Sequence, residues 1–261
     1  MSQRKEFLSE MGIETIWKHR GIQTGVPAPV AVSEINADTN TSEDDYPHSF
    51  LPEEYLSEPR DKRNISSMNW SDLERTVLEC TACDLCHSRT QAVPGVGDKT
   101  ASWLFIGEGP GFFEDQKGEP FVGASGKLLD NMLLSLGLNR TKDVYIANVV
   151  KCRPTDDNGK DRPPTMSEAN ACHAFLARQI TLIKPKIIVT LGRVASTTLL
   201  NLDPQTSLAS LRRRVHKYKS QDLDEIPLIA TYHPAYLLRQ LPDKKRAWED
   251  LCLAVKTLEG N

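Results

Sequence analysis

Apolar residues are scattered in the first quarter of the chain and fall into short dense blocks from about Met68 onward. Four of these blocks read as buried strands: "SWLFIGEG", "DVYIANVV", "KIIVTLG" and "PLIATYHPAYLL", the last breaking at His233-Pro234. Between and after them run amphipathic stretches with helical spacing. "ASGKLLDNMLLSLGL" predicts a helix ending near Gly137, a second starts at Ser167 and reaches about Ile183, "RVASTTLL" a third, and "DKKRAWEDLCLAVKTL" closes the chain. Ser71, with Glu74 three residues on, fits a capping box for an earlier helix. Strands alternating with helices predict a mostly parallel sheet covered on both faces. Ligands of such folds bind beyond the carboxyl ends of the strands. Here those ends are "GEGPG", "NVVKCRP", "LGRVAS" and "HPAYLLR".

The amino-terminal part differs. Phe7, Leu8 and Met11 share one helical face in a segment interrupted by Gly12, too short to be stable alone. Residues 21–67 are rich in Pro, Ser, Asn, Thr and acidic side chains, a linker composition. The expected organisation is a short peptide at 1–20, a disordered acidic linker at 21–67 and a domain at 68–261.

Charge adds one point. The formal net charge of −3 argues against a nucleic-acid partner only until it is divided. Residues 1–67 hold 7 Lys/Arg against 12 Asp/Glu, and the remainder holds 25 against 23. The domain is therefore slightly basic, compatible with a local DNA-binding patch. No run approaches the ~18 apolar residues of a membrane span, and "MSQRKEFLSEMG" has no signal-peptide core. A cytoplasmic protein is expected.

Six cysteines in such a chain suggest metal or chemistry rather than disulfides. "CTACDLC" sets Cys80, Cys83 and Cys86 close together, and Cys152 and Cys172 lie further on. A Cys-x-x-Cys turn brings two thiolates onto one metal, and two distant cysteines can complete four ligands, zinc or iron–sulfur alike. Cys252, in an apolar helix, reads as an ordinary packed thiol.

The segment "GEGPGFFEDQKGEPFVG" half-fits two phosphate motifs and satisfies neither. Gly107, Gly109 and Gly111 are spaced G-x-G-x-G, and Pro110 with a further acidic loop, rather than a helix, is expected to follow, unlike a dinucleotide fingerprint. In "GASGKLL" the position where a P-loop requires its first glycine is Phe121, and Leu128 follows Lys127. What remains is a glycine-lined turn that lets backbone approach a ligand, with Phe121 near enough to stack on a flat one.

"GEGPG…ED…G.PFVG", "YIANVVKCRP" and "HPAYLLR", with "CTAC" upstream, resemble the family 4 uracil-DNA glycosylases, the iron–sulfur class of the superfamily, over roughly Leu73 to Leu258. The resemblance implies a three-layer α/β/α sandwich with a central four-stranded parallel sheet. It implies a [4Fe–4S] cluster on Cys80, Cys83, Cys152 and Cys172, with Cys86 matching no ligand. It also implies a monofunctional enzyme that flips uracil out of DNA and hydrolyses its glycosidic bond, leaving an abasic site for base excision repair. His233 would face uracil O2 and Asn148 would read the N3–H and O4 edge. Phe121 would stack on the base. Glu108, beside Gly109, would hold the water or the sugar charge, and Glu114 would lie at the C5 edge. Leu237, Leu238 and Arg239 would enter the minor groove. Arg153, Lys160, Arg162 and Arg212-Arg213-Arg214 are candidates for phosphate contacts. A monomer is expected. Residues 1–20 look like the start of the psi subunit of bacterial DNA polymerase III, which would make Met11, Ile13 and Trp17 anchors on the clamp loader. The alternatives are a non-catalytic replisome-associated DNA-binding module and a glycosylase for another deaminated or damaged base.

Overall fold

A computed structural model of the chain describes residues 64–220 and 223–260. The peptide at 1–20 and nearly all of the linker expected at 21–67 lie outside the described residues. Ile65–Ser67 form a 3-10 turn from which Ile65 packs, partly buried, against the core.

The first helix, α1 (Trp70–Leu78), is capped by Asn69, whose side chain accepts from the Asp72 N–H at 3.0 Å. The cap therefore falls two residues before Ser71, which lies inside the first turn. A short helix α2 (Leu85–Ser88) and strand β1 (Val96–Gly97) lead into β2 (Trp103–Gly107). Helix α3 (Phe112–Lys117) occupies the place of the expected acidic loop. The sequence is too short and acidic for a periodicity signal, and the helix is made instead by a cap: Glu114 Oε2 accepts from the Gly111 N–H at 3.2 Å. Then come α4 (Ala124–Ser135), β3 (Val144–Asn148), α5 (Met166–Ile183), β4 (Ile187–Leu191), α6 (Arg193–Leu199), α7 (Leu208–Leu211), β5 (Val215–Tyr218), β6 (Ile226–Thr231), α8 (Pro234–Arg239) and α9 (Lys244–Glu259). Helix α5 starts behind Thr165, in a capping box with Glu168.

The sheet order is β1-β3-β2-β4-β6-β5. The middle four strands are parallel, as expected, and each edge carries a short antiparallel strand that was not. Strand side chains alternate between two cores. Leu104, Ile106, Tyr145, Ala147, Ile188 and Leu228 face α1 and α5. Trp103, Phe105, Val144, Ile146, Val189 and Ile229 face α4 and α9. Sheet between two helix layers gives the three-layer sandwich. The chain reverses direction across the sheet around β2, which has β3 on one side and β4 on the other. This switch point opens a crevice at the carboxyl ends.

Candidate active site

A cleft of about 670 Å³ lies at that crevice, lined by Glu108, Gly109, Glu114, Phe121, Asn148, His233 and Arg239 among others. Three strand ends contribute: β2 delivers Glu108, β3 ends in Asn148, and His233 follows β6. A second cleft of about 620 Å³, lined by Asn170, His173 and Arg178, holds no expected site residue.

Asn148 is buried, and its side-chain Oδ1 has no hydrogen-bond partner. An unpaired buried polar atom costs free energy unless a ligand supplies the bond. Its main-chain oxygen is fixed, accepting from Lys151 Nζ at 2.8 Å, and that buried ammonium also donates to Gln179 Oε1 at 2.7 Å. Gly107 lies beside Asn148 in register, and a Cβ there would come within 2.6 Å of the Phe121 ring. Only glycine lets the amide and the ring stand this close.

Phe121 is buried, with its backbone in the left-handed region at φ 55°, a costly conformation for a bulky residue. Arg140 holds it there. Its guanidinium donates to the carbonyl oxygen of Pro120 at 2.9 Å and to that of Phe121, and pairs with Asp130. Gly126 in α4 packs directly on the Phe121 carbonyl, where a side chain would collide. The Phe121 ring lies 5.5 Å from the His233 ring.

His233 caps α8: its Nδ1 accepts from the Ala235 N–H at 3.2 Å. That bond assigns the proton to Nε2, so the ring offers an N–H donor while neutral. Burial, helped by the Arg239 charge, pushes its pKa down to about 4. Burial acts in the opposite sense on Glu108, raising its pKa to about 7 against the pull of Arg193.

Other expectations change. Glu114 does line the cleft, but Oε1 accepts from the Val122 and Gly123 N–H groups at 2.9 and 3.1 Å while Oε2 takes Gly111. It binds the two walls together. Leu237 is fully buried in the α4–α9 core and cannot enter a groove; its neighbour Leu238 is 41% exposed and lines the cleft. Arg212 is buried in an ion pair with Asp250 at 2.7 Å, which removes it from the phosphate candidates, whereas Arg213 and Arg214 are exposed. Arg162 is committed to Glu168 and Arg153 to Asp161. Arg140 was missed: it follows the loop after α4 with no motif around it, and only the fold brings it to Phe121.

On the side of the sheet packed by α1 and α5, Cys80, Cys83, Cys86, Cys152 and Cys172 line one small pocket with Arg89 and Lys151. Among the described residues no group of three or more His, Cys, Asp or Glu forms a ready single-ion site. Sulfurs here accept hydrogen bonds: Cys152 from Arg89 at 2.9 Å, Cys172 from the Lys151 N–H at 3.3 Å and Cys80 from the Ala82 N–H at 3.5 Å. Without a metal, burial pushes the Cys83 thiol up to about 11 and Cys172 to about 12. Two cations and several N–H donors around soft sulfurs suit an anionic thiolate-bound group.

Comparison with known proteins agrees with this geometry. The family model of the uracil DNA glycosylase superfamily matches residues 94–252. A type-4 uracil-DNA glycosylase of Archaeoglobus fulgidus is 45% identical over 169 residues, 64% of this chain and 82% of the relative. Those of Sulfurisphaera tokodaii and Thermotoga maritima are 44% and 40% identical, covering 64% and 65% of this chain and 74% and 83% of theirs. The fold, the cleft and the match over most of the domain lead to one conclusion: the chain belongs to the uracil DNA glycosylase superfamily.

Proposed function

We propose that the protein removes uracil from DNA by hydrolysing the N-glycosidic bond and leaves the strand intact with an abasic site. The observation that carries this is the buried, unpartnered Oδ1 of Asn148 in a cleft shared with Phe121 and His233. An amide presents a donor and an acceptor side by side, matching O4 and N3–H of uracil and mismatching cytosine.

In the transition state the sugar is cationic and the leaving base anionic, so the site must supply donors to the base and negative charge near the sugar. Neutral His233 donates from Nε2 to uracil O2. Glu108, when ionised, faces the sugar and takes a proton from the attacking water as that oxygen bonds to C1′. The base leaves with the electron pair of the broken C–N bond. Phe121, fixed by Arg140, stacks on the flipped base, and of the three candidates for the gap in the duplex Leu238 and Arg239 remain without the buried Leu237.

Cys80, Cys83, Cys152 and Cys172 would hold a [4Fe–4S] cluster, which would supply structural cross-linking, since hydrolysis transfers no electron. A four-iron cluster is wider than a single ion, which fits sulfurs gathered in one pocket without forming a single-ion site. The clamp-loader contact of residues 1–20 is a separate proposal, tested by capture of the clamp loader with that peptide and its loss in Trp17→Ala.

The test is incubation of the purified protein with a uracil-containing oligonucleotide followed by alkali. Cleavage at uracil, lost in His233→Ala, is expected. No cleavage by cluster-loaded protein overturns the reading.

A further inference from the structure

Helix α3 presents two adjacent phenyl rings to solvent at the mouth of the cleft. Phe112 is 50% and Phe113 63% exposed, and the rings meet edge to face with centroids 5.5 Å apart. Neither ring is needed to dock the helix. That is done by Glu114, through three backbone N–H groups, and by Asp115, which accepts from the Thr90 N–H at 2.9 Å. The rings are therefore held out on a fixed base. Arg153, anchored by Asp161 at 2.6 Å and by the Gly159 carbonyl at 3.1 Å, lies with its guanidinium 5.1 Å from the Phe112 ring centroid. The exposed side chains of Leu238 and Arg239 line the same cleft.

Aromatic rings backed by the ion-paired Arg153, with the exposed Arg239 lining the same cleft, suit one partner chemistry: nucleobases on a phosphate backbone. In a duplex the faces of the bases are already stacked, and its exterior offers sugars and phosphates against which phenyl rings gain little. A single strand exposes base faces, and stacking on aromatic side chains is how sequence-tolerant single-strand binding works. We propose that Phe112 and Phe113 form a stacking platform for unpaired nucleobases next to the target nucleotide, so that the protein engages single-stranded DNA in preference to duplex. This rests on the glycosylase reading for the identity of the target but makes its own claim about the neighbours.

The experiment measures equilibrium binding of the full, cluster-loaded chain to a labelled oligothymidine strand and to the same strand paired with oligodeoxyadenylate. These probes contain no uracil, so the result stands whether or not the protein releases uracil. The wild type is expected to bind the single strand more tightly. The double variant Phe112→Ser/Phe113→Ser is expected to weaken single-strand binding by about tenfold or more, since one stacked base is worth roughly that factor, and to change duplex binding by less than about twofold. Phe113→Trp should retain single-strand affinity. Both rings are exposed, so an unchanged circular dichroism spectrum is expected of each variant. An unchanged single-strand Kd in the serine variant, equal losses on both probes, or a wild type that prefers duplex would overturn the proposal.

Discussion

Arg140 grips the backbone of Phe121, its guanidinium donating to the consecutive carbonyl oxygens of Pro120 and Phe121. The aromatic wall of the cleft thus depends on a residue that does not line it. Arg140→Ala leaves the left-handed Phe121 unsupported and Asp130 unpaired. We expect a stability loss of about 1–3 kcal/mol and a drop in uracil release of roughly tenfold or more. Arg140→Lys keeps the charge but lacks the planar fork, so it should recover stability better than activity. Thermal melts and kcat/KM on one uracil oligonucleotide check both.

Asn148 gives the opposite pairing of effects. Its Oδ1 is unsatisfied in the free protein, so Asn148→Ala removes a buried polar cost as well as some packing. Denaturant unfolding should change by less than about 1–2 kcal/mol, while uracil release falls by about a hundredfold or more.

Acidity separates the two titrating groups. Glu108 titrates near 7; if its ionised form is required, activity rises as pH rises through about 7, and Glu108→Gln shows a low rate without that rise. His233, at about 4, stays neutral through this range and imposes a fall only near or below pH 5. Stability follows with the sign reversed for the carboxyl. A carboxyl whose folded pKa exceeds its ordinary value favours folding at low pH, and that contribution is lost as pH rises through about 7. Glu108→Gln should therefore be more stable than the wild type at pH 8, by on the order of 2–3 kcal/mol, read as a higher Tm. The imidazole, being depressed, weakens the fold as pH drops from about 6.5 toward 4.

The cysteine pocket is tested by iron content. Cys80→Ser, Cys83→Ser, Cys152→Ser or Cys172→Ser should each reduce iron per chain and visible absorbance, and lower Tm. Cys86→Ser should keep both, although Cys86 lines the same pocket. Loss of iron in Cys86→Ser would reassign the ligand set.

The parallel sheet was legible because each of its four strands is a block of apolar residues ending in a turn signal. The edge strands were not: β1 is two residues long, and β5 has only Tyr218 buried. Helix α3 escaped because Glu114 builds it through a cap rather than a repeating face. Glu108, Asn148 and His233 meet at one cleft because three strand ends, each readable in the string, carry them there. Leu237 and Leu238 are adjacent in sequence, and which of the two faces the core is decided by the packing of α8 on α4, a tertiary contact invisible in the string. Arg212 reads in the string as part of a basic run because its partner, Asp250, lies 38 positions away.

Glu114 carries a consequence for timing. One carboxylate occupies the amide protons of Gly111, Val122 and Gly123 before any DNA arrives. The entropy of arranging both walls is therefore spent when the chain folds, and a captured nucleotide meets a rigid slot rather than inducing one. Those three amides should exchange with solvent deuterium slowly in the free protein, and at nearly the same rate when the slot is filled.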